Sequence, residues 1–346
     1  MSTILEQIDS HDSAQFLDLL DQFPDQIQNA WEIGERVDVP DLKPDGVVVC
    51  GMGGSGISGE LLRQFTTDQA TTPVVPNRFY ELPEWVGEDS LVILVSYSGN
   101  TEETLSCFQQ ARDRSAPCVT LTSNGELEKK ARNHNETVIT IPPGMPPRCA
   151  AGYLFIPLLF LFDKIGISAA PSQENYREAC EKTLEITEEF APEVNDNRAL
   201  DIARRLQNRT PIIYGSSPFT GVLARRFKNQ LNENAKIFSV YNELPELHHN
   251  EIMSWDHLAD DPDRYGVVFL RDAGETKRVQ KRFQLTRDIM RNSVARIEEV
   301  QGRGDSRFAR YLSLMLYTDY ISYYLAILRN KDPVAIGPIQ QLKEEL

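Results

Sequence analysis

A chain of 346 residues with 51 acidic and 36 basic side chains carries a formal net charge of −15, and its pI lies near 4.9. That balance speaks against a broad nucleic-acid-binding face, which needs a basic footprint, but leaves room for a small anion held by backbone amides. The length suits two domains, and 41% hydrophobic with 25% charged residues is an ordinary globular composition.

Residues 1–40 read as helical, with Phe16, Leu17, Leu19, Leu20 and Phe23 at helical spacing. The segment MSTILEQIDSHDSAQF is polar and lacks the apolar core of a secretory leader. Five cysteines (Cys50, Cys107, Cys118, Cys149 and Cys180) are odd in number and lack CxxC spacing. They predict reduced thiols in a cytoplasmic protein. An apolar run at 46–50 predicts a buried strand that ends in a glycine-rich turn, and a helix follows near 55–65. Strands near 73–75, 91–96, 118–122 and 137–141, with helices around 101–112 and 127–133, predict a parallel sheet covered on both faces.

Charged, helix-prone residues 172–208 suit a connector. The theme then returns: a strand at 211–214 runs into Gly215-Ser216-Ser217 and a helix through 224–230. Strands near 237–240, 266–271 and 294–299 come next. The predicted fold class is therefore α/β, with two doubly wound parallel sheets related by duplication. The expected domains are 1–170 with the N-terminal helices, a connector at 171–208, and 209–346 with a helical tail. The apolar stretch 309–328 contains Arg310 and Asp319 and predicts a buried helix rather than a bilayer span.

Two turns concentrate the chemistry. Gly51-Met52-Gly53-Gly54-Ser55-Gly56 follows the first strand and opens a helix, where backbone N–H groups and the helix dipole make a phosphate cradle. Gly53 and Gly54 lie at its centre. A dinucleotide fold shares the GxGxxG spacing, yet the acid expected about 20 residues later is absent from Thr71-Thr72-Pro73-Val74-Val75-Pro76-Asn77-Arg78. No Gly-Lys-Ser/Thr follows, so a P-loop fails too. The second turn, Ser96-Tyr97-Ser98-Gly99-Asn100-Thr101, brings three hydroxyls to another helix start. Ser96, Ser98 and Thr101 suit the oxygens of one phosphate monoester, beyond what an N-cap alone requires.

GMGGSG followed by SYSGNTEET resembles the sugar isomerase (SIS) domain, a doubly wound module that binds phosphosugars. Met145-Pro146-Pro147-Arg148-Cys149-Ala150-Ala151-Gly152, Asn232-Glu233-Asn234-Ala235-Lys236, Leu244 to Ile252 (LPELHHNEI) and the terminal Leu342-Lys343 narrow the likeness. In order, and over essentially the whole chain, they are similar to the bifunctional phosphoglucose/phosphomannose isomerases of archaea and bacteria. The resemblance implies phosphate binding by Ser55, Ser96, Ser98 and Thr101. It makes Glu233 the base that moves a proton between C1 and C2, and it puts Arg148 near the enediol intermediate. His249 and Lys343 are implied at ring opening. It further implies a homodimer with no metal or organic cofactor, in which the His-bearing segment reaches the neighbouring subunit's site. Relatives often carry a threonine after the Asp-Pro step where this chain has Asp332-Pro333-Val334, a departure that bears on the mannose 6-phosphate activity.

Rival readings remain at this point. His248, His249, Glu251 and His257 are a candidate metal set, although HExxH and paired CxxC spacings are absent. A non-catalytic SIS module that senses phosphosugars would share the phosphate loops without using Arg148, Glu233, His249 and Lys343. A glutamine-dependent hexosamine synthase would need a nucleophilic cysteine near the amino terminus, whereas the first cysteine is Cys50, inside a strand.

Overall fold

The computed structural model describes residues 3–256, 258 and 261–345. Helices α1 (Ile4–His11), α2 (Phe16–Asp21) and α3 (Phe23–Glu35) precede β1 (Gly46–Cys50), α4 (Gly53–Thr66), β2 (Val74–Asn77) and β3 (Ser90–Ser96). Then follow α5 (Glu102–Asp113), β4 (Cys118–Thr122), α6 (Gly125–Asn133), β5 (Thr137–Thr140) and α7 (Ala151–Lys164). The second half holds α8 (Gln173–Glu189), α9 (Arg198–Leu206), β6 (Thr210–Ser216), α10 (Gly221–Glu233) and β7 (Val240–Leu244). It continues through α11 (Ile252–Trp255), β8 (Tyr265–Arg271), α12 (Lys277–Met290), β9 (Ile297–Gln301), α13 (Arg307–Leu328) and α14 (Gly337–Glu345).

One compact unit, Phe23–Gln173, contains a five-stranded sheet in the order β2-β1-β3-β4-β5. All its pairings are parallel. β1, β3 and β4 are continuous β-branched and aliphatic runs buried along their full length. That composition is what a parallel sheet sandwiched between helices demands. The other unit holds a four-stranded sheet, β7-β6-β8-β9, again wholly parallel. The two sheets confirm the duplicated α/β architecture.

The units divide the chain differently from the expected boundaries. Residues up to Gln22 belong with Glu174 onward rather than with the first sheet. The reason is side-chain chemistry on α13: the Tyr323 hydroxyl donates to Asp12 at 3.0 Å, and the Tyr323 ring stacks on Phe16 at 6.1 Å between centroids. The segment read as a connector also packs into this unit, with α9 against α13. Within it, Asn197 caps α9 and donates to the Phe190 carbonyl.

A second difference concerns β7. The strand expected at 237–240 begins only at Val240. Lys236 sits in the left-handed region at φ 51°, and the Asn232 carboxamide takes the Ile237 carbonyl at 2.7 Å. These bonds hold 234–239 as a loop closing α10, with Ile237 buried as its anchor.

The long apolar run is the buried helix α13. Among the described residues, no helix is long and apolar enough to cross a membrane. Its one buried acid, Asp319, accepts two bonds from Arg226 (2.6 and 2.8 Å) and one from Gln230 (2.8 Å), both on α10. Breaking such a pair removes the carboxylate that balances a buried guanidinium. Asp319→Ala is therefore expected to destabilise this unit by about 3–5 kcal/mol, read as a lower urea midpoint. None of the described cysteines is in a disulfide.

Candidate active site

The strand order 2-1-3-4-5 reverses direction between β1 and β3. In such sheets the connections after those two strands diverge and leave a crevice at their carboxyl ends. The glycine turn follows β1 and the hydroxyl turn follows β3, so both motifs meet at this switch point.

α4 begins at Gly53 rather than near Ser55, so the glycines form its first turn. Gly53 has φ +52° and nothing within 4 Å of where a Cβ would stand. This is open space at a helix start, whose backbone N–H groups and dipole suit an anion. A Cβ on Gly54 would instead lie 2.9–3.0 Å from the Pro147–Arg148 backbone. Gly54 is thus the floor on which the Arg148 turn rests.

The hydroxyls are knitted together. The Tyr97 N–H donates to Ser55 Oγ at 3.0 Å, which ties the two turns. Ser96 Oγ and Thr101 Oγ1 are 2.9 Å apart, and Ser98 Oγ accepts from the Asn100 N–H at 3.3 Å. Ser55 and Ser96 are buried, Thr101 is partly buried, and Ser98 is exposed. Gly53, Gly54, Ser55, Ser96, Ser98 and Thr101 therefore form one cluster, with Arg148 buried in the 3-10 turn Pro147–Cys149 against it. The buried Gln26 carboxamide fixes the far side of that turn, donating to the Cys149 carbonyl at 2.9 Å and accepting from the Gly152 N–H at 2.7 Å.

Sequence reading missed a third turn. Ser123-Asn124-Gly125, after β4, leans on the hydroxyl turn. Ser123 donates to the Tyr97 carbonyl through its N–H (3.1 Å) and Oγ (2.6 Å), and the Leu127 N–H donates to the Gly99 carbonyl. Gly99 has φ +68°, and a Cβ there would fall 1.8 Å from the Asn124 carbonyl oxygen. The sequence signal was present but ordinary, since Ser-Asn-Gly marks turns of every kind.

The corresponding helix start of the other unit is closed. α10 follows β6 as α4 follows β1, and β7 flanks β6 as β2 flanks β1. At the α10 start, a Cβ on Gly221 would stand 2.2 Å from the Glu243 carboxylate. Glu243 pairs with Gly215 in the strand register, while Arg78, one residue past the Cys50–Asn77 pair, donates to the Gly56 carbonyl at 3.2 Å and pairs with Glu60 at 3.1 Å. A basic residue thus flanks the first helix start, and an acid of the chain itself fills the second.

Glu233 ends α10, partly buried, and the Lys236 ammonium donates to the Glu233 carbonyl (2.7 Å) and the Asp332 carbonyl (2.6 Å). The Asp332-Pro333-Val334 tail segment is therefore anchored at Glu233's end of α10. Lys343, on α14, stands on a helix with no buried residue. His249 is exposed in the 3-10 turn Glu246–His249, which follows β7. A helix packed antiparallel to its strands carries Glu233 to the amino-terminal edge of the sheet, while His249 lies beyond the carboxyl edge. Thirteen residues of α10 span about 20 Å, so one chain does not bring Glu233 and His249 together.

The candidate metal set resolves differently. Arg282 approaches His248 Nδ1 at 3.0 Å and Thr286 Oγ1 lies 2.7 Å from Nε2. Arginine only donates, so Nδ1 accepts and the Nε2–H donates; the Thr286 hydroxyl passes its own proton to the Arg282 carbonyl. Both ring nitrogens are used. Glu251 accepts from Tyr214 and from Asn242 (2.7 Å), which holds the 3-10 turn's continuation. His257 lies outside the described residues.

Burial, then the Arg282 charge and His249, hold the His248 pKa below its ordinary value. The unfolded chain therefore binds a proton at a higher pH than the folded one. His248 contributes stability above the ordinary histidine range and loses it as pH falls through that range toward the depressed folded value. The melting-temperature gap between wild type and His248→Gln is expected to narrow as pH drops from about 7.5 to about 5.

A duplicated parallel sheet with a hydroxyl-lined, glycine-floored switch point defines a sugar isomerase (SIS) protein. The SIS domain family matches residues 43–158, and the "Bacterial phospho-glucose isomerase C-terminal SIS domain" matches 195–346. The chain belongs to the bifunctional phosphoglucose/phosphomannose isomerase family. It is 41% identical over 328 residues to the member from Caldicellulosiruptor bescii, covering 93% of this chain and 96% of that one. It is 34% identical to the Aquifex aeolicus member, covering 88% and 92%. A crystal structure of a glucose-6-phosphate isomerase like protein from Thermus thermophilus shares the fold, with TM-score 0.64, 21% identity and full coverage of both chains.

Proposed function

We propose that this protein interconverts glucose 6-phosphate and fructose 6-phosphate through a cis-enediol, and accepts mannose 6-phosphate as well. The observation that carries the reading is the open Gly53 helix start joined to Ser55, Ser96, Ser98 and Thr101, with Arg148 buried against it. Family membership adds the reaction class. Those hydroxyls and N–H groups hold the phosphate. Glu233 removes the proton from C2 of the aldose and returns it at C1, while Arg148 faces the charge that develops on the enediolate oxygens. His249 and Lys343 serve ring opening.

The separation of Glu233 from His249 in one chain supports a homodimer in which the neighbour supplies His249. A cytoplasmic location fits the reduced cysteines. Neither a metal nor an organic cofactor is needed, since proton transfer between adjacent carbons asks only for a base and a cation. The test is a coupled assay on metal-stripped protein, with glucose 6-phosphate and mannose 6-phosphate offered separately and fructose 6-phosphate read out. Chelator-insensitive turnover of both supports the reading. Turnover of glucose 6-phosphate alone ties narrowed specificity to Val334, and activity only with added metal, or none, overturns it.

A further inference from the structure

Tyr97 stands between Ser96 and Ser98 and bonds in four directions. Its N–H reaches Ser55 Oγ (3.0 Å) and its carbonyl accepts from Ser123. Its hydroxyl donates to the Pro142 carbonyl (2.9 Å) and accepts from the Met145 N–H (3.2 Å). The ring is 6% exposed, so these bonds are made in a fixed, largely dry setting. Pro142 and Met145 belong to the strand exit that leads, three residues later, to Arg148. Gly54 and Gln26 secure the floor and the far side of that turn; the Tyr97 hydroxyl is the tie at its entry.

We infer that Tyr97 is a positioning residue that sets where the Arg148 guanidinium stands relative to the bound phosphate. The backbone of Tyr97 belongs to the phosphate turn, so anything that orders that turn also orders the hydroxyl at the end of the same side chain. The hydroxyl then fixes the peptide segment that delivers Arg148. Phosphate binding and enediolate stabilisation are thereby coupled through one rigid side chain rather than through solvent. Loss of the hydroxyl leaves the Pro142 carbonyl and Met145 N–H without their partner, while the ring and the backbone bonds remain. The phosphate turn is expected to persist and the Arg148 turn to loosen. The catalytic part of this inference rests on the functional reading above.

The test is Tyr97→Phe, which keeps the buried ring. In an active enzyme kcat is expected to fall about tenfold, with KM and inhibition by inorganic phosphate changed by less than about twofold. Added to Arg148→Lys, Tyr97→Phe is expected to cost less than about twofold more, because both act on one group. A merely structural role would instead give additive losses. Hydrogen exchange supplies a readout independent of turnover: the Met145 and Cys149 amides are expected to exchange at least about tenfold faster in the variant. Unchanged exchange there, unchanged kcat, additivity with Arg148→Lys, or a KM rise with kcat intact each overturns the inference. A wild-type chain that isomerises neither sugar phosphate sinks the functional reading, and the exchange rates still decide the Tyr97 tie.

Discussion

Glu233→Gln is expected to reduce isomerase turnover by about two to four orders of magnitude while KM and the melting temperature stay close to wild type. A carboxamide has the shape of the carboxylate and cannot take the proton from carbon. The local fold should survive, because a glutamine keeps the size and hydrogen-bonding capacity of the side chain, and other bonds hold this end of α10: Lys236 donates to the Glu233 and Asn234 carbonyls, and the Asn234 carboxamide donates to Ser322 Oγ at 3.0 Å. The measurement is a steady-state assay beside circular dichroism. Loss of exchange between solvent deuterium and the sugar's C2 proton should accompany the loss of turnover. A folded variant with more than about a tenth of wild-type turnover rules Glu233 out as the base.

Gly99→Ala is expected to disable the phosphate cluster. A Cβ there meets the Asn124 carbonyl oxygen at 1.8 Å, and at φ +68° any side chain is strained. Backbone strain alone costs about 1–3 kcal/mol, and the collision must in addition push the Ser123-Asn124-Gly125 turn off the hydroxyl turn. The Leu127–Gly99 and Ser123–Tyr97 bonds go with it. A KM for sugar phosphate at least about tenfold higher is expected, together with a lower urea midpoint. Gly166 offers the control: its φ is +73°, yet nothing lies within 4 Å of a Cβ there. Gly166→Ala should show the strain in stability and leave KM alone. Equal KM values in the two variants would mean that the third turn does not shape the phosphate site.

The candidate site residues that were legible in the sequence are those whose chemistry is local. Gly51 to Gly56 and Ser96 to Thr101 are consecutive residues after strongly apolar strands, and a strand-turn-helix needs little tertiary information to be read. The continuous β-branched runs of β1 and β3 declared a parallel sheet because only a sheet covered on both faces buries them whole. Glu233, His249, Lys343 and Arg148 were legible only through resemblance to a family, since an isolated Glu, His, Lys or Arg has no local signature.

What the tertiary structure alone decided depends on strand order and register. The Tyr97 hydroxyl meets residues 45 and 48 positions away, and the Ser123 turn reaches the Tyr97 carbonyl only because β4 lies beside β3. Glu243 fills the second helix start because the register sets it opposite Gly215, a pairing no pattern in the chain announces. Helices α1 and α2 joined the unit of the four-stranded sheet through Asp12 and Phe16 on Tyr323, more than 300 residues away in sequence. Such contacts are selected by the burial of whole faces, a collective term to which each residue's own preference adds little. The sequence by itself determined the elements and the two anion-seeking turns. The packing decided which copy keeps an open helix start, what holds the Arg148 turn, and that Glu233 and His249 of one chain stand apart.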